Sequence, residues 1–421
     1  MINFERSKGF TVDKTQKILF TGEPSMSETA PRGERINIGL FGRSNVGKSS
    51  LLNALCGQQV SIVDERSGTT TDAVSKIYEL IPIGPVTFFD TAGLDDKGVL
   101  GEKRIDATKK ILRKVDIAVV VTDETGIGKL ETALIADLKR MSVPFVAVFN
   151  KSDKMAMTAA GFDFPSVSVS AKEGRNIDAL KAALTDLVPD HVKNAPALIR
   201  DLLSPSDTVV CVTPIDTSAP KGRLILPQVQ VIRDVLDARA FAYVVQDQND
   251  CLKALENMKT APKLVVTDSQ LVKQVAAALP SEVPLTTFST LFARYKGDID
   301  ILYAGASVLK TLKKGDRVLI AEACSHHVQD DDIARVKMPA LIRKNICDGV
   351  DFSWSAGIDF PDDLSEYSLV IRCGGCMLSR LETLRRLNEC VRAGVPVTNF
   401  GIAISAVQGV LNRIVAPLGI K

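Results

Sequence analysis

The sequence predicts an α/β fold in three domains, and three observations predict it. Short runs rich in Val, Ile and Phe alternate with helical stretches, the pattern of a parallel sheet wound with helices on both faces. A glycine-rich loop joins the first such run to the first helix. Two later runs, Arg317–Ala321 and Ser368–Arg372, are followed almost at once by cysteines. At 421 residues the chain exceeds one ordinary core, and a scale of roughly 150 residues per domain suggests two or three.

The bulk numbers exclude several classes. Lys plus Arg (52) nearly balances Asp plus Glu (50), so no overall field draws the chain to nucleic acid or to anionic lipid. Eight cysteines are too few for a disulfide scaffold of this size, which points to a reducing, cytoplasmic setting where clustered cysteines mean metal or redox chemistry. No apolar run reaches the roughly 20 residues that span a bilayer, and Met1–Arg6 lacks a signal-peptide core. Residues 1–34 are polar, with Gly22, Pro24 and Pro31 breaking any period, and read as a flexible extension; Met26-Ser27-Glu28 would itself make a plausible start.

The first domain is expected over 35–192. Ile36–Phe41 is its first strand, and further buried strands are expected at Val86–Phe89, Ile117–Thr122, Phe145–Asn150 and Ser166–Ser170. Pro189 and Asn194-Ala195-Pro196 mark its end. The second domain, 193–283, has strands at Thr208–Val212, Phe241–Val245 and Leu264–Thr267, with helices over Pro227–Ala238 and up to Leu279. Three strands leave an edge and two faces to cover, which favours pairing with a second copy. The third, 284–421, carries a helical segment through Leu312, the two cysteine-bearing strand ends and a helix over Met377–Arg392. Both cysteine segments fall at carboxyl ends of strands, the rim where α/β sheets build sites.

Gly42-Arg43-Ser44-Asn45-Val46-Gly47-Lys48-Ser49, followed by Ser50, is a P-loop between strand and helix. Its N–H groups would curl around phosphate, Lys48 would bridge the β and γ phosphates, and Ser49 would offer its hydroxyl to Mg²⁺. Asp90-Thr91-Ala92-Gly93 places Asp90 near Mg²⁺ and the Gly93 N–H near the γ-phosphate. Asn150-Lys151-Ser152-Asp153 reads guanine: the Asp153 carboxylate can accept from N1–H and N2–H together, so the nucleotide is GTP. Ser170-Ala171-Lys172 closes over the base. Gly68-Thr69-Thr70-Thr71-Asp72 resembles the switch segment of Era/TrmE-like GTPases, which would bring Thr70 to Mg²⁺. Leu94 stands where Ras-like enzymes have a water-positioning Gln, so intrinsic hydrolysis is expected to be slow or to need another group. Asn45 matches a residue that helps to hold potassium in TrmE-like relatives; K⁺ as an activator and a plain loop-stabilising hydrogen bond are both open.

Cys373-Gly374-Gly375-Cys376 lets two thiolates of one turn face one centre, with Cys324 as a third ligand and His326 or His327 in reach of a fourth place. The set suits a 4Fe–4S cluster; a structural zinc ion and a redox dithiol are the alternatives. Cys56, Cys211, Cys251 and Cys347 stand among apolar residues and read as buried thiols, as does Cys390.

With these residues in view, the chain resembles the HydF family, the GTPases that mature FeFe-hydrogenase. The resemblance runs from Met26 to the C-terminus and rests on Val212–Asp216, Ala219–Gln228, Leu291–Asp298, Cys324–His327, Cys373–Cys376 and Pro396–Asn399 besides the GTPase segments. It implies GTPase, dimerisation and cluster-binding domains, and a homodimer. It implies a 4Fe–4S cluster on Cys324, Cys373 and Cys376. It also implies a scaffold or carrier that takes a di-iron precursor made with radical-SAM maturases and delivers it to apo FeFe-hydrogenase. Many members carry His before the Cys-x-x-Cys, where this chain has Arg372, a poor iron ligand because it stays protonated. His326, another side chain or a small molecule is left for the fourth place.

An Era-like ribosome-assembly GTPase with a zinc-binding end is the alternative of another class. It requires a basic patch around the cysteines. The sequence instead puts Asp330, Asp331 and Asp332 after His327, and Asp359, Asp362, Asp363 and Glu366 before Cys373. No nucleic-acid partner and no membrane are therefore expected.

Overall fold

The computed structural model describes residues 31–57, 74–91, 93–94, 110–154, 161–188, 196–215, 224–323, 332–357, 360–361 and 363–420. The switch segment Gly68–Asp72 with Thr70, the Cys324–His327 segment with His326, Ala92, and the expected extension up to Ala30 lie outside them.

Buried β-branched runs become the strands of three separate sheets. The first has six strands in the order β2-β3-β1-β4-β5-β6: β1 (Ile36–Phe41), β2 (Val74–Leu80), β3 (Gly84–Asp90), β4 (Ile117–Thr122), β5 (Phe145–Phe149) and β6 (Ser166–Ser168). Only β2 runs antiparallel, against β3. Strands buried on both faces need apolar residues along their length, and β4 (IAVVVT) has them up to Thr122, whose buried hydroxyl donates to Gly126 O. Ile117, Val119 and Val121 face one core with α1 (Lys48–Cys56) and α3 (Ile177–Asp186). Ala118 and Val120 face the other with α2 (Lys129–Arg140).

The second sheet has four parallel strands, β10-β9-β7-β8: β7 (Thr208–Val212), β8 (Phe241–Val245), β9 (Leu264–Thr267) and β10 (Leu285–Thr287). One face is packed by α4 (Leu226–Asp237) and α7 (Phe288–Lys296). The other is packed by α5 (Gln248–Glu256), α6 (Val272–Ala278) and the late helix α12 (Leu411–Val415). Three strands were expected, with the third region starting at 284. The sheet takes Leu285–Thr287 as a fourth strand, and Phe288, Leu291 and Phe292 fill its core. A three-residue strand that runs straight into a helix leaves too short a pattern to be read from sequence.

The third sheet, β12-β11-β13-β14, is also parallel: β11 (Arg317–Glu322), β12 (Asp351–Ala356), β13 (Leu369–Arg372) and β14 (Val397–Asn399). Around it lie α8 (Ile299–Ser307), α9 (Met338–Asn345), α10 (Arg380–Arg392) and α11 (Phe400–Val407). Helix α10 starts at Arg380 rather than Met377, because the Ser379 hydroxyl caps it by accepting the Glu382 N–H at 3.2 Å. Cys56, Cys211, Cys251 and Cys390 are buried as expected, while Cys347 is only half-buried. Among the described residues no helix is long and apolar enough to cross a membrane.

Candidate nucleotide and cysteine sites

Strand β1 ends in the loop that turns into α1. Gly47 sits at φ 94°, and a Cβ there would come within 2.4 Å of Asn150 Nδ2, so the position is open to glycine alone. Asn150, just past β5, joins two loops: its Nδ2 donates to Val46 O at 2.9 Å, and its Oδ1 accepts the Ala171 N–H at 3.1 Å. Asp153 accepts from the Ser170 hydroxyl at 2.7 Å, and that bond holds its carboxyl below the usual range. Lys48 is buried and donates to Gly42 O and Arg43 O. Ser49 Oγ donates to Asp90 Oδ2 at 2.5 Å, so the hydroxyl and carboxylate expected around Mg²⁺ face each other. Gly93 lies buried beside the loop, and the next residue, Leu94, donates its N–H to Gly42 O at 3.2 Å. Asn45 is exposed at φ 64°, Ser50 and Lys172 are exposed, and Ala171 is half-buried. All these residues gather at the carboxyl end of the first sheet.

Some residues that anchor these motifs, Glu131, Thr125 and Asp123, belong to no motif themselves. Arg43 reaches Glu131 at 2.6 Å, Thr125 at 2.7 Å and Gly126 O at 3.0 Å, tying the P-loop to the start of α2. Lys151 pairs with Asp123 at 3.0 Å. Burial would raise Asp123, but the Lys151 and Thr125 hydrogen bonds outweigh it and hold the carboxyl at about 2.

The second site lies at the carboxyl end of the third sheet. Cys373 follows β13 directly; its N–H donates to Ala321 O at 2.9 Å and its Sγ accepts the Ala323 N–H at 3.0 Å. Ala323 immediately precedes Cys324 in sequence. The loop turns at Gly375 (φ 67°) and closes with the Leu378 N–H on Gly375 O. Beneath it, the buried Lys296 ammonium donates to Gly375 O (3.1 Å), Leu378 O (2.9 Å) and Gly33 O (3.3 Å). Burial brings this ammonium down to about 8, with Cys376 and Glu34 opposing the shift. Gly33 touches the loop so closely that a Cβ would stand 2.3 Å from Cys376 O. Cys376 is itself pushed up by burial and by Cys373. Among the described residues no group of three His, Cys, Asp or Glu side chains surrounds a metal position. Cys324 and His326, expected to complete the set, are outside them.

The third domain meets the first at the amino ends of β1 and β4, the end of that sheet away from the nucleotide loops. Asp116, the residue before β4, accepts the Asn37 N–H (2.7 Å) and the Ser379 hydroxyl (2.9 Å). Arg385 on α10 donates to Arg113 O and Val115 O at 3.1 and 2.9 Å. The sequence reading assigned no role to Lys296, Asp116, Ser379 or Arg385. Lys296 alone lay in a segment already quoted for its resemblance, Leu291–Asp298.

Residues 198–297 match the hydrogen maturase F dimerization domain, and residues 300–417 match the hydrogen maturase F tetramerization domain. Two domains of one family thus cover more than half of the chain. The chain belongs to the hydrogen maturase F family. Residues 37–151 match the 50S ribosome-binding GTPase family, so this family member carries a P-loop GTPase domain ahead of its two oligomerisation domains. Over 155 residues it is 39% identical to the tRNA modification GTPase MnmE of Neisseria gonorrhoeae, covering 36% of this chain and 34% of that protein. Over 203 residues it is 33% identical to GTPase Der of Wolinella succinogenes, covering 44% and 43%. The chain therefore spans about a third of the length of the MnmE relatives that it matches. An Era variant from Aquifex aeolicus bound to GDP and aluminium fluoride is similar over 52% of this chain and 97% of that one, at 20% identity and a TM-score of 0.31.

Proposed function

We propose that the chain is a GTP-hydrolysing scaffold or carrier of FeFe-hydrogenase maturation. It would hold a 4Fe–4S cluster on Cys324, Cys373 and Cys376 and pass a di-iron precursor to the apo-hydrogenase. The observation that carries the reading is the donor set around the cysteine loop, in a chain of the hydrogen maturase F family. Cys373 Sγ receives a backbone N–H, and the buried Lys296 ammonium sits under the turn. Backbone donors and a buried cation suit thiolates that carry an anionic group. When bound, such a cluster supplies an iron atom to which a precursor's ligand can attach.

In the first domain, Gly42, Gly47, Lys48 and Ser50 would hold the phosphates. Ser49, Asp90 and Thr70 would hold Mg²⁺, and the Gly93 N–H would meet the γ-phosphate. Asn150, Lys151, Asp153, Ser170, Ala171 and Lys172 would frame guanine. The Ser49–Asp90 apposition supports the Mg²⁺ assignment. Leu94 brings no water-positioning amide, and a K⁺ ion held at Asn45 would supply the positive charge that an arginine finger brings to other GTPases; turnover several-fold faster in K⁺ than in Na⁺ is expected, and equal rates would exclude it. GTP hydrolysis would govern exchange with the radical-SAM maturases and the hydrogenase.

The deciding experiment measures iron, sulfide and zinc after anaerobic reconstitution, with EPR of the reduced protein. Cys324→Ala, Cys373→Ala and Cys376→Ala variants are taken alongside. About four irons and four sulfides with an S = 1/2 signal, lost or altered in the variants, is the expected result. Stoichiometric zinc that survives reconstitution, without that signal, would refute the assignment.

A further inference from the structure

Directly before Cys373, β13 ends in an arginine that is only 8% exposed. Its Nη1 donates to Thr383 O at 3.3 Å, and its Nη2 lies 3.0 Å from the point where a Cβ on Gly375 would stand. Arg372 thus reaches back under the loop formed by Cys373–Cys376. It shares a small cavity with Cys373, Cys390, Phe360 and a second buried arginine, Arg386. The two guanidinium groups differ in one respect. Arg386 is compensated: it pairs with Glu382 at 2.9 Å, donates to Gly357 O at 2.7 Å and stacks on Phe360. Arg372 has no carboxylate within ion-pair distance among the described residues: Glu382, already paired with Arg386, acts on it only from farther off, and one carbonyl is too little for five donors. Beside it the Thr383 hydroxyl is fully buried without a partner, 3.4 Å from the same point on Gly375.

A buried cation without an anion and a buried hydroxyl without an acceptor are each costly. Both lie against one loop, and that loop carries the two thiols. We infer that Arg372 is the buried counter-ion of the anionic group held on Cys373 and Cys376, not one of its ligands, and that the Thr383 hydroxyl is a second donor to it. The inference rests on the cluster assignment above and deepens it. Arg372 is a positioning residue: its charge stabilises the more negative, reduced state of whatever the thiolates hold.

The test is an EPR-monitored dithionite titration of reconstituted wild type, Arg372→Gln, Arg372→Lys and Thr383→Val, with iron and sulfide counted in each. Arg372→Gln is expected to keep its iron yet lower the reduced-to-oxidised ratio at a fixed potential about tenfold, equivalent to about 59 mV for one electron. Arg372→Lys should stay near wild type, and Thr383→Val should shift in the same direction as Arg372→Gln but less. Equal potentials in wild type and Arg372→Gln, both fully loaded, would overturn the inference while the cluster reading stands. Wild type that takes up no iron would sink both. If Arg372→Gln cannot be loaded, melting of the metal-free proteins at pH 6, where ordinary thiols are neutral, decides. Removal of an uncompensated charge should raise the melting temperature there; a fall would make Arg372 a structural prop of α10.

Discussion

Asn150 carries more of the nucleotide site than its place in a guanine-reading motif suggests. One amide spans the P-loop and the Ser170-Ala171-Lys172 loop, giving a bond to Val46 O and taking one from the Ala171 N–H. Its nitrogen also occupies the space that obliges position 47 to be glycine. Asn150→Ala leaves a carbonyl and an N–H without partners, at about 1–3 kcal/mol each where buried. Guanine-nucleotide affinity should then fall on the order of 10- to 100-fold, read by titration with a fluorescent GDP analogue. An affinity within twofold of wild type would show that the two loops are held by other means. The nucleotide motifs were readable because phosphate, Mg²⁺ and guanine each demand a fixed residue type at a fixed spacing. Lys296 and Asp116 were not, since their partners at the cysteine loop lie 79 and 263 residues away in sequence. No local pattern records such a contact.

Between elements, the pairing of β4 with the N-terminus of α10 gives the clearest prediction. Burial pushes Asp116 up to about 7, against the Asn37 N–H, the Ser379 hydroxyl and Arg385, which pull it down, while Glu382 adds to the rise. The unfolded carboxyl titrates near its ordinary value of about 3.9. Between these values the folded chain binds the extra proton, so this group's contribution to stability falls as pH rises from about 4 to about 7 and stays flat above. Asp116→Asn cannot ionise and should flatten that decline; midpoints of urea unfolding from pH 5 to pH 8 for both proteins would check it. An unchanged slope would place Asp116's proton elsewhere. The elements themselves were readable where strands are buried on both faces, as β4, β7 and β9 were located to the residue, and the exposed edge strand β8 was readable from its apolar, β-branched run. β2 carries Lys76 and Glu79, β12 reads DFSWSA, and β10 and β14 have three residues each. Such strands owe their structure to the neighbour they pair with, not to their own period.

For the whole molecule, the strand order of the second sheet leaves an apolar edge on which two copies would meet. β8 is the edge, and Phe241, Tyr243 and Val244 on it are 57%, 49% and 48% exposed. The Phe241 N–H donates to Asp207 O and Val245 O accepts the Thr213 N–H, so residues 241, 243 and 245 turn their backbone groups toward β7. By alternation, Ala242 and Val244 turn theirs outward. An apolar edge with unpaired N–H and C=O groups is a template for another strand, and a two-fold axis would set two copies of β8 antiparallel. Val244→Pro removes one outward donor and breaks no bond to β7, because proline is tolerated on the open side of an edge strand. In light scattering at micromolar concentration, the mass of the wild-type assembly should then fall by half. Contacts made by the tetramerization domain would survive, and GTP turnover in the distant first domain should not change. A mass unchanged by Val244→Pro, with the melting temperature intact, would move the dimer contact off β8. The exposed Val229 and Leu236 on α4 would be the next surface to substitute.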